Sequence, residues 1–407
     1  MTCRSCGRAA LVEVLDLGAQ PEANSFPPAT TDPSTDPRWP LRVFVCTACW
    51  LLQLDDAGPP ETALPGPPAH ELSPTMRAHA QGFVADAVAL LSAPAGRRVV
   101  EMASHGGHLA PFLADHGVES LIVEGTAELA AAAEARGQRV LARPFGLASA
   151  ETIVGDGGPA DLAIDNYLLA HVEDPNDIAA GLEVLLRRPG GRAVIELDHV
   201  LPLLGDRRFD SIRHGHYSYF GLLSVAALLA RHGLDVIDAA LQTVYGGALR
   251  IVVAHAGEAA PSAGVAATLE AERAAGLTSV ATYEAFARGV GDLRTELREY
   301  LETRRAAGAT VAGYGAPSRG NTLLNSIGAT PELLAFTVDR SPSKHGLRLP
   351  GSGIPIDGPG RLLEARPDDI LILTWDIRDE VIASLPEVGG WGGRFVVPLP
   401  RFEVLAD

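Results

Sequence analysis

The chain has 407 residues, too many for a single hydrophobic core, and two or three domains are expected. With 47% hydrophobic and 20% charged residues its composition is that of a soluble globular protein, and no apolar run reaches the length a membrane helix needs. A formal net charge of −17 argues against broad nucleic-acid binding, but leaves room for a small anion where a few arginines converge.

The N-terminus, MTCRSCGRAA, lacks the apolar segment that follows the arginine of a signal peptide, so a cytoplasmic location is expected. The four cysteines are Cys3, Cys6, Cys46 and Cys49. Two CxxC pairs separated by a long loop can present four thiolates to one ion, and zinc is the ion expected. Disulfides do not suit a cytoplasmic chain, and neither pair has the strand-then-helix setting of a redox motif. Four thiolates fill zinc's coordination, so the site is structural. It closes a small domain, residues 1–65, that could not build a core alone. Inside the loop, LDLGAQPEANSF offers Leu15, Leu17 and Phe26 to pack beneath the metal. The proline-rich run AGPPETALPGPPAH marks the boundary.

Residues 66–260 form the second domain, and from residue 97 strand and helix alternate. RRVVEMA is a buried strand, SHGG a tight turn, and HLAPFLADHG a helix ended by glycine. SLIVEG is a second strand running to Glu124, followed by a helix in AELAAAAEARG and a strand in RVLA. The stretch from ADLAIDNYLL to GGRAVIEL supplies a fourth strand, a helix from near Pro175, a Pro-Gly-Gly turn and a fifth strand. This alternation predicts an α/β, doubly wound sheet with its ligand at the carboxyl ends of the strands. Ala103, Ser104, Gly106 and Gly107 would let a ligand approach the backbone, Glu124 could accept both hydroxyls of a ribose, and Asn166 ends the fourth strand. His105 and His108 could stand on the rim. Nicotinamide dinucleotides and S-adenosylmethionine share this layout. The GxGxxG fingerprint is absent from EMASHGGHL, and LLRRPGG before a strand is typical of class I methyltransferases, which favours S-adenosylmethionine.

The last domain, residues 261–407, carries VAGYGAPSRGNTLLNSIG and a following strand that ends at Asp339 and Arg340. Gly313, Gly315 and Gly320 permit a tight loop. Arg319 can grip a pyrophosphate bidentately, and Asn321 stands at a helix start. Tyr314, Arg340 and Lys344, the one lysine of the chain, complete the candidate substrate-binding set.

This block, with the N-terminal cysteine pairs, LDLGAQPEANSF, NYLLAHVEDPNDI and FDSIRHGHYSYFGLLS in the same order, resembles the deoxysugar C-methyltransferase family over essentially the whole chain. The resemblance implies a zinc-bound N-terminal domain, an S-adenosylmethionine domain and a second Rossmann-like domain. The substrate it implies is a nucleotide-linked keto-deoxysugar, usually dTDP-linked, of an antibiotic pathway, held between the last two domains. A base removes the proton alpha to the ketone, and the enolate takes the methyl group.

The family's version of residues 212–221, IRHGHYSYFG, implies His216 as the base and His214 as its structural companion. Arg213 stands where the family has tyrosine, and Gly215 where it has glutamate. Arg213 would bring positive charge near the enolate oxygen. Tyr245 and Ala248 replace a histidine and a serine of the family, and of its tyrosine- and serine-rich segment only Ser73 and His79 keep their places. His171 and His199 are expected to be packing or incidental residues. Two other uses of the scaffold remain open at this point. One is a ketoreductase or cyclase without methyl transfer, and the other is a non-catalytic partner that binds a sugar nucleotide.

Overall fold

A computed structural model describes the whole chain except residues 56–57, 59–73, 94–95, 103–105 and 406–407, and the side chain of Tyr245. Most of the proline-rich run, and Ser73, Ala103, Ser104 and His105, therefore lie outside the described residues.

Three strands open the chain: β1 (Leu11–Gln20), β2 (Trp39–Cys46) and β3 (Leu52–Leu54). The middle segment adds β4 (Val99–Met102), β5 (Ser120–Val123), β6 (Arg139–Leu141), β7 (Leu162–Asn166), β8 (Arg192–Asp198), β9 (Ser218–Tyr219), β10 (Leu234–Gln242) and β11 (Ala248–His255). Seven of these form one sheet in the order β10-β11-β8-β7-β4-β5-β6, with β11 running against both its neighbours. The eighth, β9, leaves the middle segment. It pairs with β3 and completes a four-stranded N-terminal sheet, Tyr219 opposite Leu52. The C-terminal segment builds β12 (Val311–Tyr314), β13 (Thr337–Val338), β14 (Ile356–Asp357), β15 (Asp369–Ile372), β16 (Arg394–Val397) and β17 (Glu403–Leu405). Their order is β14-β13-β12-β15-β16-β17, parallel except for β17.

Local sequence accounts for most of these elements. Strand β4 is a fully buried VVEM run, as a central parallel strand requires. The helix Pro175–Leu185 begins with proline behind Asp174, whose carboxylate accepts from Asn176 N, and it buries Ile178, Ala179, Leu182 and Leu185. The 27-residue helix Val280–Ala306 buries Tyr283, Phe286, Val290, Leu293, Leu297 and Leu301, a stripe at helical spacing that packs against β1 and β12. Each such apolar side chain contributes about 1.5–3 kcal/mol. The helix Leu147–Gly157 has no comparable signal. Its first amide, Leu147 N, is capped by Asp177 of the neighbouring helix at 3.0 Å. Gly181 lets the two helices touch, since a Cβ there would lie 2.8 Å from the Gly146 carbonyl carbon.

One hydrophobic core runs from the N-terminal sheet (Leu41, Val43) through Val200, Phe209, Ile212 and Tyr219 into the C-terminal sheet (Val311, Ile370). The segment that carries IRHGHYSYFG is therefore held at the meeting of all three sheets. Among the described residues no helix is long and apolar enough to cross a membrane.

Candidate active site and metal centre

The four cysteine sulfurs lie within 4.8 Å of one another, with Cys3 and Cys49 at 3.5 Å and Cys6 and Cys46 at 3.6 Å. Bonds of about 2.3 Å to one zinc separate the corners of a tetrahedron by ~3.8 Å, so the set fits the ion. The antiparallel pairing of β1 and β2 sets Leu11 opposite Cys46 and so brings the two ends of the loop together.

The candidate cofactor cradle lies at the ends of β4, β5 and β7. Gly106 and Gly107 have φ of +78° and +77°, and a Cβ on Gly107 would fall 2.2 Å from Ile122 Cδ1. Only glycine makes that turn. Glu124 is 4% exposed and accepts from Gly106 N at 3.1 Å and Thr126 N at 2.9 Å. Each carboxylate oxygen keeps a second lone pair, so the acid both fixes the turn and can still accept a diol. Asn166 borders a small cleft with Met76, His79, Leu109 and Tyr167. A tight glycine turn, a buried acid and an adjoining cleft fit an adenosyl ligand.

Beside this cleft β8 presents Glu196 and Asp198 on one face, two residues apart. Glu196 is fully buried and is held by Arg250 Nε at 2.9 Å and by His79 Nε2 at 2.6 Å. Arg250→Ala would leave Glu196 as a buried charge with one partner fewer. A loss of about 3–5 kcal/mol in unfolding free energy is expected by denaturant titration. A loss below about 1 kcal/mol would mean that water replaces the guanidinium.

His216 lies one step further along. Its ring is 1% exposed, stacks on His171 at 4.8 Å and leans on Tyr219 at 4.4 Å. His171 is fixed in turn by a 2.6 Å contact from Nδ1 to the Gly215 carbonyl. Nδ1 of His216 is 3.4 Å from the Ser211 carbonyl, and Nε2 faces Asp198 Oδ2 at 3.9 Å. Burial, with the charge of Arg213 beside it, holds His216 well below its usual value, so the ring is neutral. Arg213 donates from its backbone to the Tyr219 hydroxyl at 3.2 Å and from Nη1 to the Ser211 carbonyl at 3.1 Å. His214 points the other way, to the Pro40 carbonyl at 3.1 Å in the N-terminal sheet.

The C-terminal wall brings Arg319 to the same place. Its guanidinium pairs with Asp376, lies 5.1 Å from the centre of the Trp375 ring and feels Asp210 and Asp198. Burial opposes its charge, but these carboxylates hold it above its ordinary value. Trp375 donates to Asp210 at 2.8 Å. Arg319 Nη1 and Asn321 Nδ2 are buried with no hydrogen-bond partner among the described residues. Tyr314 is buried at the end of β12. Arg340 and Lys344 are engaged elsewhere: Arg340 with Glu380 at 2.8 Å, and Lys344 with the Ala316 carbonyl at 2.8 Å and Asp339 at 3.3 Å. Asp339 repeats the arrangement of Glu124, accepting from Ala316 N in the glycine loop and from Ser341 N two residues on.

Among residues that sequence reasoning passed over, Asp198, Asp210, Arg208, Trp375 and Asp376 carry most of the charge and the ring surface of this junction. A strand-end acid was the available signal for Asp198, and the motif SIRHGH drew attention past it. His199 is structural, bound through Nε2 to buried Glu272 at 2.7 Å.

Comparison with known proteins agrees with this three-part layout. The family description "Putative zinc binding domain" matches residues 3–63, "Methyltransferase domain" residues 76–239 and "C-methyltransferase C-terminal domain" residues 243–400. The C-methyltransferase NovU of Streptomyces niveus is 32% identical over 409 residues, which cover 99% of this chain and 96% of that protein. Among solved structures, magnesium protoporphyrin IX methyltransferase from Synechocystis PCC 6803 is 16% identical over 44% of this chain and 85% of its own, with a TM-score of 0.36. N-methyltransferase NodS from Bradyrhizobium japonicum is 14% identical over 48% of this chain and 94% of its own, also at 0.36.

Proposed function

The chain belongs to the C-methyltransferase family and is an S-adenosylmethionine-dependent C-methyltransferase with a zinc-binding N-terminal domain, and from that premise we propose that its acceptor is a nucleotide-linked keto-deoxysugar, usually dTDP-linked, of an antibiotic pathway. The observation that carries the acceptor class is the junction itself. Arg319 Nη1 and Asn321 Nδ2 are buried polar groups with no hydrogen-bond partner among the described residues, in the first turn of the helix Ser318–Ser326, which packs against residues 209–211 and β1. A pyrophosphate accepts from such donors, and Arg319 keeps Nη1 for it while Nη2 is bound to Asp376. Tyr314 lines the same loop, while Arg340 and Lys344 stand further out, at the end of β13, where the nucleoside end of the ligand would pass.

Proton removal depends on His216, which is neutral and so adds no positive charge beside the base. Arg213 supplies the positive charge that an enolate oxygen needs. His214, tied to the N-terminal sheet, holds the loop in register. Bound S-adenosylmethionine offers an electrophilic methyl group to the enolate carbon. The chain's own part is to fix the turn at Gly106 and Gly107, to orient the ribose at Glu124 and Asn166, and to keep water from the carbanion. Ala103 and Ser104 belong to the same turn by sequence.

The test uses dTDP-4-keto-6-deoxyglucose in deuterated water with the purified protein. Wild type is expected to exchange the proton alpha to the ketone and, with S-adenosylmethionine, to methylate that carbon. His216→Ala is expected to lose about 100-fold or more in both. Binding of the sugar nucleotide without exchange or methylation, across a set of keto-deoxysugar nucleotides, would sink the reading. It would favour a reductase, a cyclase or a binding partner instead.

A further inference from the structure

We propose, resting on the reading above, that Asp198 is the atom-level proton acceptor of this site and that His216 works through it as a positioning residue. Four observations converge on the pair. Asp198 is the last residue of β8, at the carboxyl edge where ligands of such sheets lie. The order of exposure is the second: the His216 side chain is 1% exposed and that of Asp198 18%, so the carboxylate is the more accessible of the two. The third is the nitrogen that faces it. His216 Nδ1 lies 3.4 Å from both the Ser211 carbonyl and Arg213 Nη1, while Nε2 is buried, has no hydrogen-bond partner among the described residues, and faces Asp198 Oδ2 at 3.9 Å.

The fourth is the charge around the carboxyl group. Arg213 and Arg208 face Asp198 from either end of the turn Phe209–Ser211 and Arg319 from the C-terminal domain, and Asp210 opposes them. Burial outweighs the arginines and pushes Asp198 up from its usual range, which makes it a better proton acceptor than a solvated carboxylate. His171, stacked on the far side of the His216 ring, keeps that ring from turning away.

The step balances within the site. Asp198 takes the proton from the carbon alpha to the ketone, and the C–H electron pair becomes the enolate. The enolate carbon would then form its bond to the methyl carbon as the S–CH3 bond of bound S-adenosylmethionine breaks, its electron pair staying on sulfur as S-adenosylhomocysteine leaves; the ketone is restored, and the proton leaves through the exposed part of Asp198. The carboxylate that the family resemblance places at residue 215 is thus supplied from β8 instead, where Gly215 leaves space.

The experiment measures alpha-deuterium incorporation into dTDP-4-keto-6-deoxyglucose, with S-adenosylhomocysteine filling the cofactor site. Asp198→Asn is expected to slow exchange and the kcat of methyl transfer by about 100-fold or more. Dissociation constants for dTDP and S-adenosylmethionine should move by less than about threefold, a split that loss of structure would not produce. Asp198→Glu should keep part of the rate, and added formate should restore exchange to Asp198→Ala. Should the asparagine protein fail to fold, the glutamate variant and formate rescue of the alanine variant decide the matter. Exchange near the wild-type rate in Asp198→Asn, or failure of formate to rescue an alanine variant that still binds dTDP, overturns the assignment and leaves methyl transfer standing on His216 alone. A wild type that binds the sugar nucleotide and neither exchanges nor methylates it overturns both.

Discussion

Cys46→Ser is expected to release the zinc and unfold the N-terminal sheet, with damage that reaches the catalytic loop. The metal joins the two ends of this sheet's long loop. Structural zinc contributes on the order of 10–16 kcal/mol in small cysteine sites, as much as the whole stability of many domains. Cys46 is fully buried at the end of β2, and serine offers neither the thiolate nor its bond length. The effect spreads because β9 is the fourth strand of this sheet, because His214 binds Pro40, and because Leu41, Val43 and Tyr219 share one core. Hydrogen exchange by mass spectrometry should therefore show lost protection over residues 39–54 and also over 209–219. Strands β4, β7 and β8 should stay protected. Metal analysis of the wild type should give one zinc per chain. A protein that holds no zinc, or one whose loss of zinc leaves 209–219 fully protected, contradicts this account.

The sheets were legible in the sequence where the signal is local. The alternation from residue 97 gives β4 to β8, and the glycine loop before Arg319 gives the start of the C-terminal sheet. The cysteine spacing gives the metal site, because two CxxC pairs leave few other arrangements for four thiols. What stayed hidden depends on partners distant in the chain. The helix Leu147–Gly157 is capped by Asp177, thirty positions away. Strand β9 is two residues long and exists only because β3 offers an open edge. The departures from the family's reactive motif could be read residue by residue, but their compensation could not. Asp198 reaches His216 across eighteen positions and through a fold, and no spacing rule announces that. The histidines illustrate the same limit. His171, expected to be a packing residue, does pack, but its partner is the ring of His216. His199, at a strand end where reacting groups often sit, is committed to Glu272.

Glu124→Ala is expected to weaken S-adenosylmethionine binding by about 10- to 150-fold per hydrogen bond lost to a charged acceptor, while dTDP binding stays within about threefold. The carboxylate has two tasks. It accepts from Gly106 N and Thr126 N, and so sets the turn, and its remaining lone pairs are free to accept from a ribose. Both tasks fail together in alanine. Glutamine keeps one acceptor oxygen and sets an NH2 group against the other backbone N–H, so it retains about half of each task; Glu124→Gln should bind more tightly than alanine and still well below wild type. The dTDP measurement is the control, because Asp339 holds the equivalent turn of the C-terminal lobe by its own pair of amides, from Ala316 and Ser341. The two lobes are built alike yet have separate acids, and each turn should answer only to its own. Isothermal titration of both ligands against wild type, Glu124→Ala and Glu124→Gln reads this directly. Equal losses for both ligands would mean that Glu124 supports the fold as a whole rather than the cofactor.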